Sequence, residues 1–310
     1  MKFGIQHPSF TLDGDGPAIV DSIKKVAVKG EDLGYDSFWV MDHFHQIQNV
    51  GQPQEPMLEG WTTISVLAGL TSKIKLGTLV TGNTYRHPSV LAKTGATLDV
   101  LSKGRLIMGI GAAWTEEEAM AYGIPFPPTK ERLERLDEAV QVIRHMWTED
   151  KANFDGRFYQ LKDAYCNPKP IQKPHPQILI GGAGEKRTLR TVAKYADASN
   201  IFGSLETVRR KLGILREHCN EVGRDYDSIV KTKGGRVIFG DRESIEKGFE
   251  QMGMNQQMTR EFLTYGTPEQ IRQDMEEFAA AGIDGLIFSF DPRQEFETVT
   301  KFGNDVLSTF

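Results

Sequence analysis

The stretch Ser37-Phe38-Trp39-Val40-Met41-Asp42-His43-Phe44 decides the fold. Its apolar first part is typical of a buried strand, and two titratable side chains follow directly. In parallel α/β proteins the carboxyl ends of strands line the ligand crevice, and a histidine there can change charge near neutral pH. We therefore interpret Asp42 and His43 as candidate catalytic residues. The alternative is an Asp-His pair that only caps a loop.

Short apolar runs alternate with stretches of helical periodicity along the chain. Eight segments have the length and composition of strands: residues 2–6, 37–41, 75–81, 105–110, 177–180, 198–202, 235–239 and 285–290. Eight strands in a β/α rhythm predict an α/β fold, namely a closed (β/α)8 TIM barrel. An open doubly wound sheet is the alternative, but it would usually stop at five or six strands.

The rhythm breaks between the fourth and fifth predicted strands. A helical pattern ends near Trp147, Asp155-Gly156 is typical of a hairpin turn, and residues 167–176 are rich in proline. Proline cannot continue a helix or donate to a central sheet ladder. We therefore predict a single domain over residues 1–310, with an insertion at about residues 122–176.

Composition argues against several classes of protein. The net charge of −5 and the lack of a block of Lys and Arg argue against nucleic-acid and membrane-surface binding. No apolar run reaches the roughly 18 residues of a spanning helix, and the first residues lack a signal peptide's apolar core, so we expect a cytoplasmic protein. Cys166 and Cys219 show no zinc-type or disulfide-type spacing. The expected partner is a small-molecule substrate.

Two glycine-rich turns follow predicted strands. Gly181-Gly182-Ala183-Gly184 lies between the fifth strand and a helix, where backbone amides and a helix amino terminus can hold a phosphate. A tight strand-to-helix turn that needs positive φ is the alternative. Gly109-Ile110-Gly111-Ala112-Ala113-Trp114 follows the fourth strand, and its small residues would let a flat ring approach the backbone. Trp114 is either part of that site or plain core.

His43 and His45 also raise a metal hypothesis. Two histidines one residue apart at a strand end are familiar zinc ligands. The rest of the ligand set is missing, because Asp291 alone stands at another strand end where such a ligand is needed. We therefore predict no metal site, and we keep a metal-dependent barrel hydrolase as an alternative.

Several motifs together resemble the bacterial luciferase-like superfamily of flavin and deazaflavin oxidoreductases, over nearly the whole chain. They are residues 38–44, Leu76-Gly77-Thr78-Leu79-Val80-Thr81 with Tyr85-Arg86-His87-Pro88, the run from Gly104-Arg105 to Trp114, and Cys166-Asn167-Pro168-Lys169-Pro170. Residues 181–189 and Tyr195-Ala196-Asp197-Ala198 resemble the branch that uses coenzyme F420, a 5-deazaflavin that carries hydride. The resemblance implies a TIM-like barrel, a cofactor ring at the carboxyl ends of the strands, its phosphate on the turn at 181–184, and a homodimer.

The resemblance also implies roles for particular residues. A bulge near the third strand, often with a non-prolyl cis peptide, would support the ring at Leu79-Val80. Asp42 and His43 would orient the substrate and move the proton that accompanies hydride transfer. The implied cofactor contacts are Thr78, Leu79, Val80, Asn83, Gly109, Gly111, Ala112, Gly181, Gly182, Ala183, Gly184 and Asn200, and the substrate-pocket candidates are Glu59, Trp61 and Trp114.

One departure from the family concerns the substrate. The sugar-phosphate dehydrogenases that the chain resembles carry a carboxylate after the fourth strand, where this chain has Ala112-Ala113, with Glu116 to Glu118 further along. We therefore predict an F420-dependent oxidoreductase that transfers hydride to or from another small organic substrate, whose selecting loops are residues 46–60 and 252–261. An FMN-dependent luciferase-like monooxygenase and a non-enzymatic cofactor-binding relative are the alternatives within the fold.

Overall fold

The computed structural model describes residues 1–11, 16–48, 50–182 and 184–310, and leaves out the side chains of 256–258. Its strands are β1 Lys2–His7, β2 Ser37–Val40, β3 Lys75–Thr78, β4 Thr81–Gly82, β5 Leu106–Gly111, β6 Ala152–Asp155, β7 Gln160–Ala164, β8 Gln177–Gly181, β9 Ala198–Ile201, β10 Val230–Phe239, β11 Leu263–Gly266 and β12 Gly285–Ser289. Eight of these described strands pair in parallel in the order β1-β2-β3-β5-β8-β9-β10-β12, and β12 pairs with β1. This closed ring confirms the predicted TIM barrel.

Helices follow the barrel strands and cover the outside of the ring. They are α1 Pro17–Leu33, α2 Gly60–Leu70, α3 Pro88–Leu101, α4 Glu116–Ala121, α5 Thr129–Thr148, α6 Thr188–Tyr195, α7 Leu205–Val222, α8 Arg242–Gln251, α9 Gln256–Phe262, α10 Pro268–Ala280 and α11 Glu295–Asp305. Local sequence sets several of their starts. Pro17, Pro88 and Pro268 occupy first-turn positions, where the missing N–H has no intrahelical partner to lose. Thr267 and Gln270 add a capping box to α10.

The apolar side chains form two buried clusters, one on each face of the sheet. The smaller one fills the barrel interior with Trp39, Ile107, Leu179, Ala198 and Ile287. The larger one lies between the strands and the helices. Because side chains alternate across a strand, the neighbours of the interior residues belong to the outer core. Several strands are therefore buried along their whole length, namely β2, β5, β9 and β12.

The insertion prediction falls on helix α5 and a hairpin. Strands β6 and β7 pair antiparallel, and the Gly156 N–H donates to the Tyr159 carbonyl at 2.9 Å, which confirms the predicted hairpin. Helix α5 packs on α3, where the Trp147 Nε1–H donates to the Ala92 carbonyl at 2.8 Å. The boundaries of about 122–176, within one domain, stay a prediction.

Some predicted elements were wrong in their bounds. Strand β10 begins at Val230 instead of 235, because the polar run Lys231-Thr232-Lys233 reads as a loop although the barrel buries all three residues. Helix α6 begins at Thr188 instead of 185, because Glu185 is held by Arg210 and by a hydrogen bond from His218 at 2.8 Å. The predicted loop at 252–261 contains all of α9 except its last residue, Phe262.

The sequence has no apolar run long enough for a membrane-spanning helix, and the helices of the structure can be compared with this. Within the described part of the chain, no helix combines the length and apolar character needed to cross a bilayer.

Candidate functional site

The site lies at the carboxyl ends of the barrel strands, where the loop after β2 begins. Asp42 is only 2% exposed, and its carboxylate accepts both arms of the Arg86 guanidinium, at 2.6 Å and 2.9 Å. Arg86 also donates to Glu59, which caps the amino end of α2 by accepting from the Thr62 N–H at 2.6 Å. The predicted pocket residue Glu59 is therefore part of an ion-pair network. A contact of Asp42 or Glu59 with a substrate stays a prediction.

Burial controls the protonation of Asp42. Removal from water raises the pKa of this carboxyl to about 6, although the Arg86 charge and hydrogen bonds act in the opposite direction. Asp42 is thus ionised above pH 6, where the ion pair with Arg86 compensates part of its desolvation.

A pH dependence of stability follows for Asp42. A carboxyl whose pKa is raised on folding favours the native state at low pH, and this contribution is lost as pH rises through the folded value. We expect the free energy of unfolding of the protein, relative to the Asp42→Asn variant, to fall by up to about 3 kcal/mol between pH 4 and pH 7. Urea denaturation of both proteins at several pH values measures this difference. A relative stability that rises with pH would contradict the prediction.

Glu118 in α4 is a fully buried carboxylate that organises the loop after β2. It accepts from His43 Nδ1 at 2.7 Å and from the Tyr85 hydroxyl at 2.5 Å. The Phe44 N–H donates to its other oxygen, and the His45 N–H approaches that oxygen at 3.4 Å. Despite its desolvation, the hydrogen bonds, led by that of His43, hold the pKa of Glu118 below its usual value. Glu118 is therefore the anionic partner of His43, whose ring presents Nε2 on its other side.

A cavity adjoins Trp114, the aromatic neighbour of His43. The Trp114 ring lies edge-to-face with the His43 ring at 5.6 Å between centroids and is 60% exposed. The cavity has a volume of about 540 Å³, and its lining includes Trp114, Ile47, Met120 and the loop residue His45. Trp114 is thus exposed at a cavity instead of forming part of the core, and its contact with a substrate stays a prediction.

Thr78 ends β3 and Thr81 begins the short strand β4. Thr78 and Thr81 share a hydrogen bond of 2.7 Å between their hydroxyl groups, and the Trp61 Nε1–H donates to Thr81 at 2.9 Å. Trp61 is 4% exposed and packs in the outer core, so its place in a substrate pocket stays a prediction. The Leu79-Val80 peptide bond is cis, which confirms the predicted position.

Val80 lies against glycines of β5 and β8. A Cβ added at Gly111 would come within 2.9 Å of Val80 Cγ2, and one at Gly181 within 2.7 Å of Val80 Cγ1. At Gly109 an added Cβ would overlap the Thr78 carbonyl oxygen. Gly109, Gly111 and Gly181 form a surface without side chains, which we call the glycine floor. The apolar side chain of Val80 packs on it.

The Gly109→Ala variant should therefore be strongly destabilised. The new methyl group would clash with the backbone of β3. A backbone atom cannot move aside as the end of a flexible side chain can. We expect a loss of about 1–3 kcal/mol in the free energy of unfolding. The control is Gly213→Ala in α7, where nothing lies within 4 Å and alanine is the better helix former. Thermal denaturation of both variants gives the comparison, and equal melting temperatures would show that the floor tolerates a side chain.

The predicted phosphate turn connects β8 to α6. Gly182 has φ +119°, and its N–H donates to the Asn200 carbonyl at 3.2 Å. A Cβ at Gly184 would meet the Thr188 hydroxyl oxygen at 2.9 Å. Asn200 is buried and donates from Nδ2 to Thr232 at 2.9 Å. Ala183, also predicted to contact the cofactor, lies outside the described residues.

Asn83 combines a buried side chain with an unused acceptor. Its Nδ2 donates to the Arg132 carbonyl at 3.0 Å, while its Oδ1 is buried and accepts no hydrogen bond from the described residues. The Arg132 guanidinium in turn donates to the Ala112 carbonyl at 3.2 Å. A buried amide oxygen without a donor is costly, so this atom is suited to an N–H or O–H group of a ligand.

Two members of the site were missed by sequence reasoning. Arg86 belongs to the motif Tyr85-Arg86-His87-Pro88, but the sequence predicted no role for it. Glu118 was one of three consecutive glutamates. The sequence does not distinguish Glu118 from Glu116 and Glu117, because its burial is seen only in the folded chain. His43 and Asp42, adjacent in sequence, have separate partners, Glu118 and Arg86.

The metal hypothesis gains nothing from these contacts. His45 Nδ1 lies 3.1 Å from the Gln46 carbonyl, and His43 Nδ1 is engaged with Glu118. Within the described residues, no group of three or more His, Cys, Asp or Glu is arranged to hold a metal ion.

Comparisons with known proteins place this geometry in context. A family model described as luciferase-like monooxygenase matches residues 1–252. An F420-dependent glucose-6-phosphate dehydrogenase of Amycolatopsis mediterranei is 27% identical, over 91% of this chain and 92% of that protein.

Two solved structures share the whole fold. The coenzyme F420-dependent tetrahydromethanopterin reductase of Methanopyrus kandleri has a TM-score of 0.82 at 20% identity, covering 100% of this chain and 99% of that one. A monooxygenase from Streptomyces bottropensis has a TM-score of 0.78 at 20% identity, with coverage of 100% and 99%. At these identities the likeness supports the barrel alone.

Proposed function

The chain belongs to the luciferase-like monooxygenase family, and we propose that it is an F420-dependent oxidoreductase that transfers hydride between the deazaflavin and a small organic substrate. The observation that carries the proposal is the buried Glu118–His43 pair beside the glycine floor. A relative with matching coverage is named for F420 dependence, which supports the choice of cofactor.

The residues at the carboxyl ends of the strands fit such a cofactor. The floor of Gly109, Gly111 and Gly181 lets Val80 and the Thr78 carbonyl pack closely against β5 and β8, and Val80 would present an apolar surface to a flat ring. The turn between β8 and α6 would hold the phosphate, and the unused Asn83 Oδ1 would accept from the ring or its side chain. When bound, F420 supplies hydride acceptance or donation at its ring.

His43 would move the proton. Glu118 holds Nδ1, so Nε2 is the nitrogen that can meet a substrate oxygen. In the oxidation of an alcohol, Nε2 accepts the hydroxyl proton as hydride leaves the neighbouring carbon, and the Glu118 carboxylate stabilises the imidazolium that forms. In a reduction, the imidazolium returns the proton. Trp114, against the His43 ring, would border the reacting carbon.

Cofactor titration tests the proposal. The apoprotein is titrated with F420 and, separately, with FMN, and ring fluorescence reports binding. We expect saturable, tighter binding of F420, followed by turnover in a screen of alcohols and activated alkenes. Preference for FMN, with oxygen consumption, would make the protein a monooxygenase instead. Binding of neither would overturn the proposal.

The Glu118→Gln variant tests the proton role. Glutamine keeps a hydrogen bond to Nδ1 but loses the charge opposite the imidazolium, so we expect kcat to fall by about 10- to 100-fold. KM and F420 affinity should stay within about twofold, which a general loss of structure would not allow. The control is Glu217→Gln, which removes an exposed carboxylate of α7 outside the cavity lining. A KM effect with an unchanged kcat would assign Glu118 to substrate binding.

A homodimer and a cytoplasmic location stay predictions. Light scattering of the purified protein measures the first, and cell fractionation the second.

A further inference from the structure

Arg236 on β10 points into the mouth of the barrel. On the same strand, Thr232 bonds to interior Asn200, and a Cβ at Gly234 would meet Asn200 and Phe202. Lys233 points to the outer core, where its Nζ lies 4.9 Å from the Phe278 ring. Because side chains alternate along a strand, Arg236 shares the inner face with Thr232 and Gly234.

The register of β12 gives the same orientation. Arg236 is the partner of Ser289, two residues beyond Ile287, which belongs to the interior cluster. Arg236 therefore stands nearer the carboxyl end than the residues that fill the barrel. This is the end that carries the rest of the candidate site.

Within the described part of the chain, the guanidinium of Arg236 lacks a hydrogen-bonded or ion-paired partner. It is half-buried, and none of the described residues hydrogen-bonds to it or forms an ion pair with it. Asp291 is the acidic group near enough to feel its charge, but the Asp291 carboxylate is engaged with Arg293 at 3.2 Å. A guanidinium presents five N–H donors, and leaving them unused in a half-buried position is unfavourable unless a ligand or water meets them.

The buried carboxylates and Arg236 lie on opposite sides of the barrel mouth. Asp42, which follows β2, and Glu118, which follows β5, bring two buried carboxylates to one side, where each already has its cation or donors. In the ring order β10 lies three strands from β2 in one direction and three from β5 in the other. Arg236 thus faces the His43 side from the far wall.

We propose that Arg236 binds an anionic group, a phosphate or a carboxylate, of the substrate whose oxidised or reduced carbon lies at His43. Arginine suits such groups because its planar fork matches their oxygens in pairs. The inference rests on the proposed function for the carbon that reacts. The anionic group itself is recognised by Arg236 with Ser289 beside it. A substrate with negative charge at one end would thereby be oriented across the barrel mouth.

The test uses the full-length protein loaded with F420. Isothermal titration measures the binding of glucose 6-phosphate and of inorganic phosphate, with glucose as the neutral comparison, to the protein and to Arg236→Gln. Arg209→Gln, which removes an exposed arginine of α7, controls for net charge. Circular dichroism and thermal denaturation establish that each variant is folded, and Arg236→Lys shows whether charge alone suffices.

We expect both phosphate probes to bind more tightly than glucose, and Arg236→Gln to weaken them at least tenfold while Arg209→Gln changes them less than twofold. Affinity for F420 should not change in Arg236→Gln. Weakened F420 binding would assign the guanidinium to an acidic group of the cofactor and overturn the proposal. So would equal phosphate binding by the protein and Arg236→Gln, or no phosphate binding at millimolar concentration. Failure of the unmodified protein to bind F420 contradicts the proposed function instead, and the same titrations on apoprotein still decide the role of Arg236.

Discussion

His43→Ala should reduce kcat by about 10²- to 10⁴-fold while leaving F420 affinity unchanged. The His43 side chain combines a buried anionic partner, Glu118, with an edge-to-face contact to Trp114, which lines the cavity. Without it, the proton that accompanies hydride transfer has no acceptor or donor at the reacting oxygen. The change in F420 absorbance, with a substrate from the screen of alcohols and activated alkenes, measures the loss.

The control for this variant is His145→Ala. His145 lies on α5 and pairs with Glu149 at 2.5 Å near the surface. Its removal should change kcat less than twofold. If His43→Ala retains a tenth or more of the activity, the proton moves through another group, and the proposed role of Glu118 is lost with it.

Arg86→Met should destabilise the protein by about 3–5 kcal/mol at pH 8, because it leaves the buried Asp42 carboxylate without its cation. The Arg86 charge lowers the pKa of Asp42, so its loss keeps Asp42 neutral over a wider range of pH. The penalty should therefore be smaller at pH 5, where Asp42 is protonated in both proteins. Chemical denaturation at the two pH values measures it.

A second substitution separates lost charge compensation from lost packing. In Arg86→Met combined with Asp42→Asn, no unpaired buried charge remains, so we expect at least half of the lost free energy of unfolding to return. The surface comparison is Arg190→Met, whose exposed pair with Glu221 should contribute less than about 1 kcal/mol. A double variant no more stable than Arg86→Met would mean that the Arg86 side chain stabilises the loop by packing.

The fold could be predicted because its signals are local. Apolar runs, helical periodicity and first-turn prolines depend on residues a few positions apart, and all eight barrel strands were found in this way. The errors have local causes too. Lys231 and Lys233 look like loop residues, but Lys231 pairs with Asp284 at 3.3 Å and Lys233 packs against aromatic rings, so burial became possible only in the folded barrel.

The site divides between sequence and tertiary structure. The sequence by itself determined that Asp42 and His43 follow a buried strand, that Leu79-Val80 interrupts the third strand, and that glycines end the fourth and fifth. Each follows from short-range pattern and from family resemblance. The partners of these residues could not be found in this way.

Only the tertiary structure decided that His43 is held by Glu118, 75 positions away, and Asp42 by Arg86, 44 positions away. The same is true of Arg236, whose strand was recognised only in part and whose place on the inner face at the barrel mouth is visible only once β10 and β12 are in register. The physical reason is that closure of the barrel brings the carboxyl ends of distant strands to one rim. Burial and charge at that rim depend on the whole ring of strands, whereas the pattern that forms each strand depends on a few neighbouring residues.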